Sequence, residues 1–67
     1  MMNIKFNSEE LIWNELDSLA DLLEKKSYIG NYFSVMRNKK FIPRRSYATT
    51  FLKNGDEIDV ILPMQGG

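Results

Sequence analysis

The chain has 67 residues, nine basic and nine acidic side chains, and neither cysteine nor histidine. That length allows one small domain, which buries only about 60% of the surface its unfolded chain exposes. Without cysteine there are no disulfides, thiolate metal sites or thiol nucleophile, and without histidine the usual general base is missing. The composition therefore points to work done with a partner rather than to self-contained catalysis.

Asn3 to Phe6 alternates polar and apolar residues, the period of a half-buried strand. Asn7-Ser8-Glu9-Glu10 is a turn signal, and Leu11-Ile12-Trp13 is a second short strand that completes a hairpin. Trp13 is expected to be partly buried. Residues 18–26 predict a short helix. Ser18 is placed to cap its first turn, and Asp21 sits three residues on, near the positive end of the helix dipole. Leu19, Leu22 and Leu23 share one face. So short a helix is unstable alone and must lie on a sheet. Gly30-Asn31 punctuates, and Tyr32 to Met36 reads as a third strand. Asn38-Lys39-Lys40 is a turn, and Phe41-Ile42 is an extended piece stopped by Pro43. Arg44 to Thr50 is irregular or one helical turn. After the Asn54-Gly55-Asp56 turn, Glu57 to Leu62 is the last strand, with Ile58, Val60 and Leu62 facing the helix and Asp59 and Ile61 facing away.

This order predicts an α+β chain: one main helix on one face of a mixed sheet. The β-grasp, or ubiquitin-like, arrangement fits, with the last strand central and paired with the first. Residues 1–63 form the domain, and Met64-Gln65-Gly66-Gly67 is expected to project as a flexible tail.

The zero net charge hides an order. Residues 1–24 carry one lysine and six acids, residues 25–53 carry eight bases and no acid, and residues 54–67 carry three acids. A basic middle suits phosphate or an acidic protein surface, although linear segregation more often ends as charges scattered over solvated faces. No apolar run approaches the ~20 residues that cross a bilayer. Met1 to Lys5 has no signal-peptide pattern, so the expected compartment is the cytoplasm, with no membrane partner.

The chain resembles the ThiS family of sulfur carrier proteins over nearly its whole length. Asn38 to Arg44 is similar to that family's Asn-x-x-x-(Ile/Val)-Pro-Arg segment, and Asn54 to Val60 to its Gly-Asp-x-Ile strand entry. Gly66-Gly67 matches the diglycine end, and Ser18 to Leu23 the capped helix. Asn7-Ser8 stands where the family often has Asn-Gly, and Arg37 where it often has an apolar residue.

The resemblance implies a co-substrate, not an enzyme, with no catalytic residue or metal of its own. A ThiF-like adenylyltransferase, using ATP and Mg²⁺, would adenylate the Gly67 carboxylate. A persulfide sulfur donor would convert it to a thiocarboxylate, and a ThiG-like thiazole synthase would take the sulfur for the thiazole of thiamine. Gly66 and Gly67 suit a narrow channel because they lack Cβ. Met64, Gln65, Ile61 and Arg44 would contact partners, and the carrier would be a monomer on its own. A MoaD-like subunit of molybdopterin synthase or another ubiquitin-like modifier is the alternative in the same class. From a different class, Tyr32, Phe33, Phe41 and Tyr47 interleave with bases as in a small nucleic-acid-binding module. Against that module stand the neutral chain and a diglycine it leaves unexplained.

Overall fold

The structure, a computed structural model, describes residues 1–30 and 32–63. Strands β1 (Met2–Phe6) and β2 (Glu9–Trp13) pair antiparallel, with Lys5 opposite Glu10 and Asn3 opposite Ile12. Only Asn7 and Ser8 lie between them, at φ of 50° and 73°. Positive φ at both central positions is type I′ geometry, whose twist matches that of the paired strands. The turn expected over residues 7–10 is therefore tighter, and Glu9 and Glu10 already belong to β2.

Helix α1 (Leu19–Lys25) begins where its first turn is capped from both sides. Ser18 Oγ accepts from the Asp21 amide at 3.2 Å, and the Asp21 carboxylate accepts from the Ser18 amide at 2.9 Å. The far end closes without glycine: Ser27 takes φ of 68°, and the Ser27 and Tyr28 amides donate back to the Glu24 and Leu23 carbonyls. That is a Schellman ending built on an L-residue. Leu19, Leu22 and Leu23 are buried in one cluster with Ile4, Phe6, Val35 and Ile58 of the sheet. Trp13 is more buried than expected, closed over by the Asp17 carbonyl 3.4 Å from its Nε1 and by Lys25 Nζ 5.8 Å from its ring.

Strand β3 (Ser34–Arg37) starts two residues later than the expected Tyr32, because its ladder with the last strand begins at Ser34 opposite Ile61. A second type I′ turn, Asn38 and Lys39 at φ of 53° and 72°, leads into β4 (Lys40–Ile42). Lys40 is therefore in a strand rather than the turn. Pro43 ends β4, and Arg44–Thr49 forms a 3-10 helix, the helical of the two expected forms. Its Tyr47 is buried, and the Leu19 amide donates to the Thr50 carbonyl at 2.7 Å, joining the 3-10 helix to the start of α1.

Strand β5 (Glu57–Ile61) is central in a sheet ordered β2-β1-β5-β3-β4, parallel to β1 and antiparallel to β3. Ile58 is fully buried and Val60 half-buried on the helix side. Leu62, expected in line with them, is exposed, since the ladder ends at Ile61 and no strand continues beside it.

Both turn asparagines hold β5. Asn7 Oδ1 accepts from the Val60 amide and Asn38 Oδ1 from the Glu57 amide, each at 2.9 Å. The parallel β1–β5 register pairs only Lys5 with Glu57 and Phe6 with Ile58, so the Asn7 side chain prolongs a short ladder.

Candidate functional site

The residues expected to act lie at the end where β5 runs out. Ile61 closes the strand on the outward face, 41% exposed, and Pro63 is the last described residue. Met64, Gln65, Gly66 and Gly67, and with them the tail, lie outside the described residues. Arg44 opens the 3-10 helix, where its Nη2 donates to the Phe33 carbonyl at 3.3 Å. Arg44 and Ile61 are brought together with Tyr32, Phe33, Ser34 and Pro63 around one shallow hollow. The sequence brings Tyr32 forward only among the aromatics of the nucleic-acid alternative, and it does not single out Ser34 or Pro63. The available signal was the Gly30-Asn31 break, which makes Tyr32 a loop residue rather than the start of a strand.

An aromatic layer supports this end. Ring centroids follow one another from Phe6 to Tyr28 at 5.9 Å, from Tyr28 to Phe33 at 5.6 Å, and from Phe33 to Tyr47 at 6.4 Å, the last pair stacked. Asn7 Nδ2 donates to the Tyr28 hydroxyl at 3.3 Å, so the turn that holds β5 also orients this layer. On the outward face, Met36 lies opposite both Phe41 and Asp59, while Ser34 lies opposite Ile61. Phe41 is 67% exposed there.

The opposite end of β5 is fixed by charge. Asp56 is buried and accepts from Arg37 Nε at 2.9 Å, Asn38 Nδ2 at 3.0 Å and the Lys53 amide at 2.8 Å. Burial alone would raise its pKa. The Lys53 amide, the Asn38 side chain and the Arg37 guanidinium outweigh that and hold the carboxyl below its ordinary value. Gly55, at φ of 90°, supplies the left-handed step of this turn, and the Asp56 amide donates to the Lys53 carbonyl at 3.0 Å. Arg37, unexpected from a strand pattern, is thus the partner of Asp56.

The basic middle of the sequence is divided in space. Arg37, Lys39, Lys40 and Lys53 gather at the start of β5, with Arg37 neutralised by Asp56. Lys26, 5.8 Å from the Phe6 ring, and Arg44 lie at the tail end. Among the described residues no cluster of three or more acidic side chains could hold a metal ion, and no helix is long and apolar enough to cross a membrane.

The model of the ThiS family matches residues 1–67. A crystal structure from Geobacter metallireducens, of a thiamine biosynthesis protein (ThiS), is similar at a TM-score of 0.80 and 23% identity, over 98% of this chain and 100% of that one. At that identity the likeness carries the fold: a mixed five-stranded sheet with one helix, the β-grasp arrangement. No curated protein sequence matches the chain.

Proposed function

The chain belongs to the ThiS family, and from that premise we propose that it is a sulfur carrier of thiamine biosynthesis whose reacting group is the Gly67 carboxylate. The observation that carries this reading is the family match over residues 1–67, which include the diglycine. A glycine α-carboxylate, with an ordinary pKa near ~3.5, is an anion at neutral pH. Its oxygen attacks the α-phosphorus of ATP on a ThiF-like adenylyltransferase, and pyrophosphate leaves. The terminal sulfur of a donor persulfide then adds to the acyl carbon and AMP leaves. A thiol reduces the remaining S–S bond and frees the thiocarboxylate. A ThiG-like thiazole synthase takes that sulfur for thiazole formation. ATP and Mg²⁺ belong to the adenylyltransferase, and the carrier contributes no catalytic group.

The fold supports this division of labour. The central strand is held at both ends by asparagine side chains and delivers Ile61 and Pro63 to one end of the molecule. A body fixed in that way can present a short thread to a channel. Ile61 and Arg44 share a hollow with Pro63, and in this reading they form the contact with partners together with Met64 and Gln65.

The test is exchange of labelled pyrophosphate into ATP by the cognate adenylyltransferase. Exchange should depend on the carrier and vanish on deletion of Gly67. Exchange that survives the deletion would sink the assignment of the reacting end.

A further inference from the structure

We propose that Asn54-Gly55 is a self-modification site, an asparagine–glycine pair set to deamidate that the first residues of β1 hold shut.

The reaction needs only water. The Gly55 amide nitrogen gives up its proton to hydroxide and attacks Cγ of the Asn54 side chain. A five-membered succinimide forms as the Cγ–Nδ2 bond breaks, and the leaving nitrogen takes a proton from water and departs as ammonia. Water then opens the ring at either carbonyl and leaves aspartate or isoaspartate at position 54. Asn54 is the one asparagine in the sequence followed by glycine, whose missing Cβ obstructs the attack least. Both residues are exposed, and a Cβ on Gly55 would meet nothing within 4 Å. Water reaches the pair, and no side chain crowds Gly55.

What protects the pair is the backbone of Asn3. The Gly55 amide donates to the Asn3 carbonyl at 2.7 Å, so the proton that must leave first is held. The Asn3 amide donates to Asn54 Oδ1 at 2.8 Å, so the side chain that must swing onto the Gly55 nitrogen is tied to the same residue. These two bonds carry the parallel β1–β5 contact past its paired residues Lys5 and Glu57. The lock opens when Asn3 parts from the turn. Asn3, Asn54 and Gly55 are all exposed, so parting them uncovers little apolar surface and needs less than global unfolding.

Deamidation makes such an opening permanent. Isoaspartate routes the main chain through the former side chain and lengthens the turn. That turn sets the Lys53 amide 2.8 Å from the Asp56 carboxylate, so the modified chain loses part of the cluster at the start of β5.

The experiment ages the full chain at mildly alkaline pH and reads position 54 by peptide mapping and enzymatic methylation of isoaspartate. The folded parent should lose the Asn54 amide at least about tenfold more slowly than the urea-unfolded chain, the effect of two hydrogen bonds that must break first. Asn3 donates its amide to Asn54 rather than to β2, so Asn3→Pro removes one bond of the lock and spares the β1–β2 ladder. That variant should deamidate several-fold faster than the parent while still melting cooperatively. Hydrogen exchange of the Gly55 amide decides the matter if Asn3→Pro does not fold, because exchange begins with loss of the same proton. In urea below the unfolding transition, deamidation and Gly55 exchange should rise in parallel, less steeply than global unfolding. A folded parent that deamidates within twofold of the unfolded rate overturns the proposal. So does a folded Asn3→Pro as slow as the parent, or deamidation that ignores urea or tracks global unfolding alone.

Discussion

Asp56 shows how one side chain can hold a turn, a strand entry and a distant residue at once. Its carboxylate takes hydrogen bonds from Arg37, Asn38 and the Lys53 amide, groups that meet only when β3 lies beside β5. Hydrogen bonds to a charged acceptor contribute more than neutral ones, so Asp56→Asn should cost about 2 kcal/mol near neutral pH. Arg37 keeps part of its side chain in water, so the ion pair is the smaller share. The folded carboxyl binds its proton less tightly than the unfolded one. Its contribution is therefore complete above the ordinary aspartate pKa of about 4 and is lost as pH falls through the lower folded value. Urea unfolding from pH 6 downward should show a steep acid limb in the parent and a flatter one in Asp56→Asn. Equal acid limbs would contradict this account. Nothing local in the sequence reveals the cluster, because Arg37 and Asp56 are 19 positions apart.

At the level of elements, what the sequence reveals is what local chemistry decides. Ser18 and Asp21 state the start of α1 because cap and helix are neighbours, and the three leucines state its buried face. The central place of β5 follows from the β-grasp arrangement that the order of elements fits, not from the strand's own pattern. The turns at Asn7 and Asn38 are legible in place but not in type: Ser8, Ser27 and Lys39 take left-handed φ of 68–73° without being glycine. Such a conformation costs an L-residue about 1–2 kcal/mol, part of which glycine returns through its freer unfolded chain. Ser8→Gly, Ser27→Gly and Lys39→Gly should each stabilise by about 0.5 kcal/mol, read as a rise in melting temperature. Asn7→Gly and Asn38→Gly should instead destabilise, since each loses its bond to β5. The start of β3 is hidden for a related reason. Phe33 is buried by its ring contacts with Tyr28, Tyr32 and Tyr47, not by a ladder, and apolar periodicity cannot separate the two. That also hid Tyr32 as part of the tail-end hollow.

For the whole molecule, the charge order read along the chain becomes a division between the two ends of one strand. One end is locked by Asp56 and its cations, and the other carries Arg44, Lys26 and exposed aromatic surface beside Pro63. The core lies between α1 and the sheet, within the described residues. The absence of cysteine makes the central claim readable in one experiment. The full chain is incubated with its cognate adenylyltransferase, ATP, a persulfide donor and a thiol that reduces the acyl disulfide, treated with an excess of a thiol-alkylating reagent, and weighed intact. The account predicts one oxygen replaced by sulfur and one alkyl group added, both on a C-terminal fragment containing Gly67. An unchanged mass while the enzyme consumes ATP, or a sulfur located anywhere else in the chain, would contradict it.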